Sequence, residues 1–174
     1  MSKEHPDHHD AELAFRAYDL RREPVMRESR AAINRDFWPK SYADVAAVTK
    51  SDHPLNAAWR QTNTYWEMVY GLVKHGIVNA DYFMESSGEG MFLFARVAPF
   101  LEEIRRDMSP VAFQNAEWVA KNTAAGQRAF AMFTARVQRV RAGPEERRPV
   151  PGAGGDEHLV TSRGAVTLGP GPRV

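Results

Sequence analysis

The clearest hydrophobic pattern in the chain runs from Leu55 to Val73. Apolar or permissive residues occupy positions 55, 59, 62, 66, 69 and 73, the alternating spacing of four and three that one face of an α-helix requires. Pro54 precedes this pattern and Gly76 follows it, as expected for a first turn and for the residue after a helix C-terminus. The pattern predicts one long helix at the centre of the fold.

Capping signals divide the rest of residues 10–141 into further helices. We expect Asp10 to cap the first helix, and Pro24 either kinks it or starts a second one. Further helix starts are predicted at the pairs Ser41 and Asp44, Ser86 and Glu89, and Ser109 and Pro110. Strand-like alternation of useful length is missing from residues 10–141. The sequence therefore predicts an all-α fold, a compact bundle of five or six helices.

The two ends of the chain differ in composition from this helical domain. Residues 142–174 contain seven glycines and five prolines without helical periodicity, which predicts a disordered Gly/Pro-rich tail. Residues 1–9 are interpreted as a flexible leader that includes three of the six histidines in and around HPDHHD. A metal site needs a scaffold that holds its ligands, and Pro6 breaks a helix there. We therefore expect no metal and no cofactor.

Charge and composition exclude several classes of protein. The chain has 23 Lys and Arg against 22 Asp and Glu, so no overall positive charge favours nucleic acid as a partner. The longest nearly apolar stretch, residues 91–101, is shorter than the roughly 20 residues of a membrane-spanning helix. The sequence contains no cysteine, which is compatible with a reducing compartment. We expect a cytoplasmic protein without a membrane span.

Charged residues inside the helical pattern do not suggest catalysis. Helical spacing puts Arg96 on the face of Glu103, away from Phe94, so its guanidinium is expected to reach solvent. Glu102 and Glu103 precede Arg105 and Arg106 by three or four residues, which is typical of a solvated ion-pair face. Since no set of titratable groups converges, no catalytic residue is predicted.

Aromatic residues on the long helix are the best candidates for contact with a partner or ligand. Trp59 and Trp66 lie seven residues apart on one stripe, and Tyr65, Met68 and Leu72 extend the apolar character around the helix. Tyr70 is the fourth candidate contact, with Trp59, Trp66 and Tyr65. Either this is a central helix covered on all sides, or one side is a subunit contact. We favour the central helix. The functional hypothesis is a non-catalytic interaction or accessory protein, acting on a protein partner or by self-association. A bundle that binds a small apolar ligand and an enzyme with an unrecognised site are the alternatives.

Three segments carry a resemblance to a known family. They are RREPVMRESR at residues 21–30, GIVNADYF at residues 76–83, and PFLEEIRRD at residues 99–107. With them the chain resembles, over about residues 10–140, a family of uncharacterised bacterial helical proteins known as a domain of unknown function. The resemblance implies an all-α fold and supplies no activity and no functional residue.

Overall fold

The computed structural model of the chain describes residues 3–142, which form helices joined by short turns. The nine α-helices of this part are His8–Arg22 (α1), Pro24–Asp36 (α2), Tyr42–Val48 (α3), Asn56–Lys74 (α4), Ala80–Ser87 (α5), Glu89–Val97 (α6), Leu101–Asp107 (α7), Gln114–Asn122 (α8) and Ala124–Arg141 (α9). A 3₁₀ turn, Ala98–Phe100, connects α6 to α7, and residues 3–142 contain no strand. The predicted all-α fold class is confirmed. The predicted tail, apart from Ala142, lies outside the described residues.

Helix α4 is central, as predicted from its hydrophobic pattern. It packs between α2 on one side and α8 on the other. Its buried side chains include every position of the predicted seam from Trp59 to Val73. The helix ends before Gly76, whose φ of 66° is in the left-handed region that favours glycine.

The remaining helices are more numerous than predicted, because two of the expected long helices are interrupted. Pro99 has no N–H to donate, and the segment predicted to continue from residue 86 to 108 is broken there into α6, the 3₁₀ turn and α7. Thr123 adopts an extended backbone and its side chain caps α9, which separates α9 from α8. The predicted capping pair at Ser86 is wrong, since Ser86 lies inside α5 and Gly88 is the N-cap of α6.

Helix α8 begins at a residue with an unusual backbone conformation. Phe113 is its N-cap with φ 54° and offers no side-chain cap. Its buried ring lies 5.9 Å from the rings of both Trp59 and Phe94. Glu67 of α4 supplies the missing cap, because its carboxylate accepts hydrogen bonds from the backbone N–H groups of Asn115 and Ala116, at 3.1 and 2.9 Å. The start of α8 is thus fixed by tertiary contacts.

The N-terminal segment is joined to the turn between α4 and α5 through Asp10. The N-cap of α1 is Asp7, not Asp10 as predicted, and Asp10 forms the other half of a capping box. The Asp10 side chain is fully buried. Its carboxylate accepts hydrogen bonds from the N–H groups of Asp7 (2.8 Å) and Asn79 (3.1 Å), and Lys3 Nζ lies 3.1 Å away. Residues within the predicted leader therefore contact the helical domain.

The close approach of Gly90 in α6 to two aromatic side chains of α4 gives a first prediction. A methyl group at position 90 would lie 2.5 Å from Tyr70 Oη and 2.6 Å from Trp66 Cδ2, and both rings are buried. We expect Gly90→Ala to lower the free energy of unfolding by about 1–3 kcal/mol, measured by urea denaturation. Gly88→Ala is the control, since its nearest contact would be at 3.6 Å. A neutral Gly90→Ala variant would contradict this close approach of Gly90 to the two rings.

The carboxylates around Lys3 give a prediction about acid stability. A hydrogen bond from Lys3 lowers the pKa of Asp7 from 3.8 to about 2, with further help from the Asp10 N–H. Burial acts to raise the pKa of Asp10, but hydrogen bonds from the Asp7 N–H and Lys3 outweigh it and the pKa is lowered. A carboxylate with a lowered pKa in the folded state stabilises the fold at pH values above its unfolded-state pKa. This contribution is lost as the pH falls through the folded-state pKa.

We therefore expect the melting temperature to fall between about pH 4 and pH 2, and to fall less in an Asp10→Asn variant. That variant should also be less stable than the original chain at neutral pH. Asp52→Asn, at an exposed carboxylate, should retain the full acid sensitivity. Equal acid profiles for the original chain and Asp10→Asn would contradict the role of Asp10.

Candidate binding groove

The four aromatic residues predicted to contact a partner or ligand lie in the core of the described chain. Trp59, Tyr65, Trp66 and Tyr70 are exposed by 6, 8, 3 and 0%. The Tyr65 hydroxyl donates to the carbonyl oxygen of Ala17 at 2.6 Å, and the Tyr70 hydroxyl donates to that of Ser87 at 2.9 Å. This geometry agrees with the central-helix interpretation and leaves these side chains little surface for contact.

An open groove of about 560 Å³ lies on the surface of the bundle. Its walls come from α1, α2, α5, α6 and α9, so that residues far apart in sequence meet there. We call it the arginine groove. Its lining residues are Tyr18, Arg21, Arg22, Arg30, Met84, Glu85, Ser86, Gly88, Glu89, Ala129, Met132 and Phe133.

One wall of the arginine groove is an ion pair between α2 and α6. Arg30 Nε donates to Glu89 Oε1 at 3.0 Å, and Arg30 Nη2 donates to Glu89 Oε2. Arg30 Nη1 also donates to the carbonyl oxygen of Arg21 at 3.3 Å. Asn34 Nδ2 donates to Glu89 Oε1 at 3.1 Å. The charges of Arg30 and Glu89 are therefore matched to each other, in a two-bond geometry that favours guanidinium over ammonium.

Behind this wall the polar contacts continue into the core at Arg96. The prediction that Arg96 reaches solvent is wrong, because its side chain is fully buried. Its guanidinium donates to Asn34 Oδ1 at 3.0 Å and to the carbonyl oxygens of Ile33 and Phe37 at 2.9 and 2.8 Å. Its central carbon lies 4.5 Å from the centre of the Phe92 ring.

Burial lowers the pKa of Arg96 to about 10, against the opposing charge of Glu89, and the group stays protonated at neutral pH. The sequence carried a signal for this burial. Every residue from Gly90 to Val97 is buried, as its nearly continuous apolar composition suggests. A helix covered on all sides has no solvent face for Arg96 to use.

Arg21 and Arg22 keep unmatched positive charges at the other wall of the groove. Arg21 Nη1 donates to the carbonyl oxygen of Ser86 at 2.9 Å, and Arg22 Nη1 lies 3.4 Å from the Tyr18 hydroxyl. Within residues 3–142, neither arginine forms a salt bridge. A guanidinium has five N–H donors, so most donors of both groups have no partner within this part of the chain.

A second, mostly apolar hollow of about 340 Å³ adjoins the groove. It is lined by Ala14, Phe15, Tyr18, Tyr82, Glu85 and Ser86, three of which also line the groove. We call it the aromatic hollow. Phe15 is 68% exposed and Tyr18 is 42% exposed, whereas Ala14 and Ala17 of the same helix are buried. Helix α1 thus buries these two small residues and exposes Phe15 and Tyr18.

Comparison with known proteins identifies the family. A family model described as "Domain of unknown function (DUF4760)" matches residues 6–123. The chain belongs to this family. No curated protein and no solved structure shows significant similarity to it. The DUF4760 match includes the groove walls contributed by α1, α2, α5 and α6 and stops at the N-cap of α9, so Met132 and Phe133 lie outside the matched segment.

Two kinds of feature are absent from the described part of this DUF4760 chain. Across residues 3–142, no group of three or more His, Asp and Glu side chains is placed to hold a metal ion. None of the helices in the same residues is both long enough and apolar enough to cross a membrane. The arginine groove with its aromatic hollow is the candidate functional surface.

The ion pair in the groove wall gives a further prediction. Glu89→Gln removes the charge that matches the half-buried Arg30, and we expect the free energy of unfolding to fall by about 1–3 kcal/mol. Glu85→Gln is the matched control, because Glu85 lines the same groove but is exposed and forms no salt bridge within residues 3–142. It should change stability by less than about 0.5 kcal/mol. Equal effects in urea denaturation would contradict a structural role for the Arg30–Glu89 pair.

Proposed function

We propose that this DUF4760 chain is a non-catalytic interaction protein that contacts another protein through the arginine groove and the aromatic hollow. The observation that carries the proposal is the exposure of Phe15 and Tyr18 beside unmatched arginines. Aromatic residues and arginine are enriched at protein interfaces, where they anchor the contact. The proposal includes a cytoplasmic location and a bacterial source, the latter because of the resemblance described above.

The packing of α1 supports this proposal. A helix on the surface of a monomer normally turns its large apolar side chains inward. Here α1 buries Ala14 and Ala17 against α2 and α5 and leaves Phe15 outside. On the far side of the groove, Met132 is 56% exposed. Apolar side chains on two walls of one depression are a common feature of protein contact sites.

A small apolar ligand is the second candidate for this surface. The aromatic hollow has a volume at the lower end of the roughly 300–1,000 Å³ that is typical of small-molecule pockets. Its lining by Phe15, Tyr18 and Tyr82 favours an apolar or aromatic compound. We rank this candidate below protein contact because the hollow opens into the wider groove and does not enclose a ligand.

Photocrosslinking in the cells that produce the protein tests the proposal. A photoreactive amino acid replaces Tyr18, and in a second variant it replaces Val111, which is 58% exposed outside the groove and the hollow. We expect a discrete crosslinked polypeptide from position 18 and none from position 111. Adding Phe15→Ser should reduce the yield at position 18 several-fold, because it removes an exposed anchor.

Sedimentation of the purified chain then shows whether the crosslinked partner is a second copy. The proposal would be contradicted if position 18 formed no polypeptide adduct, or if Phe15→Ser left the yield of its adducts unchanged. An apolar fluorescent probe whose binding depends on Phe15, in the absence of any polypeptide adduct, would instead favour the small-ligand candidate.

A further inference from the structure

We propose that the segment recognised at this surface is an acidic amphipathic α-helix of a partner protein. Its apolar side chain would occupy the aromatic hollow, and a carboxylate about two helical turns away would pair with Arg21 and Arg22. This inference rests on the proposed function and names the chemistry of the partner.

The charges in the groove favour an acidic partner. Three arginines and two glutamates line it, and Glu89 is already held by Arg30 and Asn34. Glu85 is the remaining carboxylate against Arg21 and Arg22, so the surface keeps an excess of positive charge. A basic segment would be repelled. A neutral apolar segment would displace water from the guanidinium of Arg21 without offering hydrogen-bond acceptors in its place.

The guanidinium of Arg21 is held in a position suited to a carboxylate. Its bond to the Ser86 carbonyl ties it to the C-terminal turn of α5, and its central carbon lies 4.9 Å from the centre of the Tyr18 ring. The central carbon of the Arg22 guanidinium lies 5.5 Å from the centre of the same ring. An arginine that is already held loses less side-chain freedom when it binds an anion.

The spacing along α1 sets the form of the partner segment. Phe15 and Arg22 are seven residues apart on one face, which is a distance of about 10 Å along the helix axis. The cleft is bounded mainly by helices, as in complexes where an amphipathic helix lies in a groove. A partner helix that runs along α1 would match this surface with an apolar residue and an Asp or Glu seven positions apart.

Selection from a peptide library tests this inference, because it does not require that the partner be identified first. The probe is a displayed library of helical peptides with one face randomised, selected on the full chain. We expect the enriched peptides to carry an apolar residue and an Asp or Glu seven positions apart. The best peptide, made synthetically, should bind an Arg21→Gln/Arg22→Gln variant about five- to tenfold more weakly, and the binding should weaken with added salt.

The matched control is Arg35→Gln/Arg106→Gln, which removes the same charge at two exposed arginines outside the groove. It should bind the peptide as the original chain does. Melting curves of each variant show whether it is folded, and Arg22→Gln alone keeps the contact between Arg21 and Ser86. Enriched peptides without acidic residues, or equal binding by both double variants, would overturn the inference.

Phe15→Ser separates failure of this inference from failure of the proposed function. If Phe15→Ser abolishes peptide binding while substitution of the groove arginines has no effect, the proposed contact surface is supported and the preference for an acidic partner is contradicted. If no enriched peptide depends on Phe15 or on the arginines, both proposals fall. Arginine-dependent binding to phosphatidylglycerol vesicles, without peptide enrichment, would overturn the inference by assigning the surface to lipid.

Discussion

The burial of the Arg96 guanidinium is the constraint that decides how α2 and α6 meet. A buried charge is costly unless its donors are satisfied, and no carboxylate touches this one within the described residues. Its main acceptors are carbonyl oxygens of Ile33 and Phe37 at the end of α2, where the helix dipole is negative. Arg141 adds the end of α9, because its Nη2 donates to the carbonyl oxygens of Pro39 and Arg96. Moving α2 relative to α6 would leave a buried cation without partners.

This buried cluster also determines which charges the surface can offer. Asn34 accepts from Arg96 and donates to Glu89, so it orients the Glu89 carboxylate toward Arg30. Arg30 is thereby paired with Glu89 in the wall of the groove. Arg21 and Arg22 remain as the charged groups that could contact a ligand. The core and the candidate site are therefore parts of one polar network, and the site is positioned by rigid helices.

The features predictable from sequence were those with local causes. The seam of α4, the capping box at Ser41 and the turn at Gly76 each depend on residues within a few positions of one another. The predicted solvent exposure of Arg96 was wrong because a helical wheel assumes that each helix has one solvent face, and α6 has none. The groove was not predictable, since Arg30 and Glu89 are separated by 59 positions. The sequence did not decide whether Trp59 and Trp66 lie in the core or at an interface, because both environments favour large aromatic residues.

Phe113 limits how the fold can be made more stable. A left-handed backbone at a residue with a Cβ costs on the order of 1 kcal/mol, and glycine would remove that cost. Glycine would also delete the ring that fills the space between Trp59 and Phe94, and an unfilled space of that size costs about 3 kcal/mol or more. The strained residue is thus the better compromise at this position. Glycine at position 113 could relieve the backbone strain without this loss only if larger neighbouring side chains filled the space of the Phe113 ring.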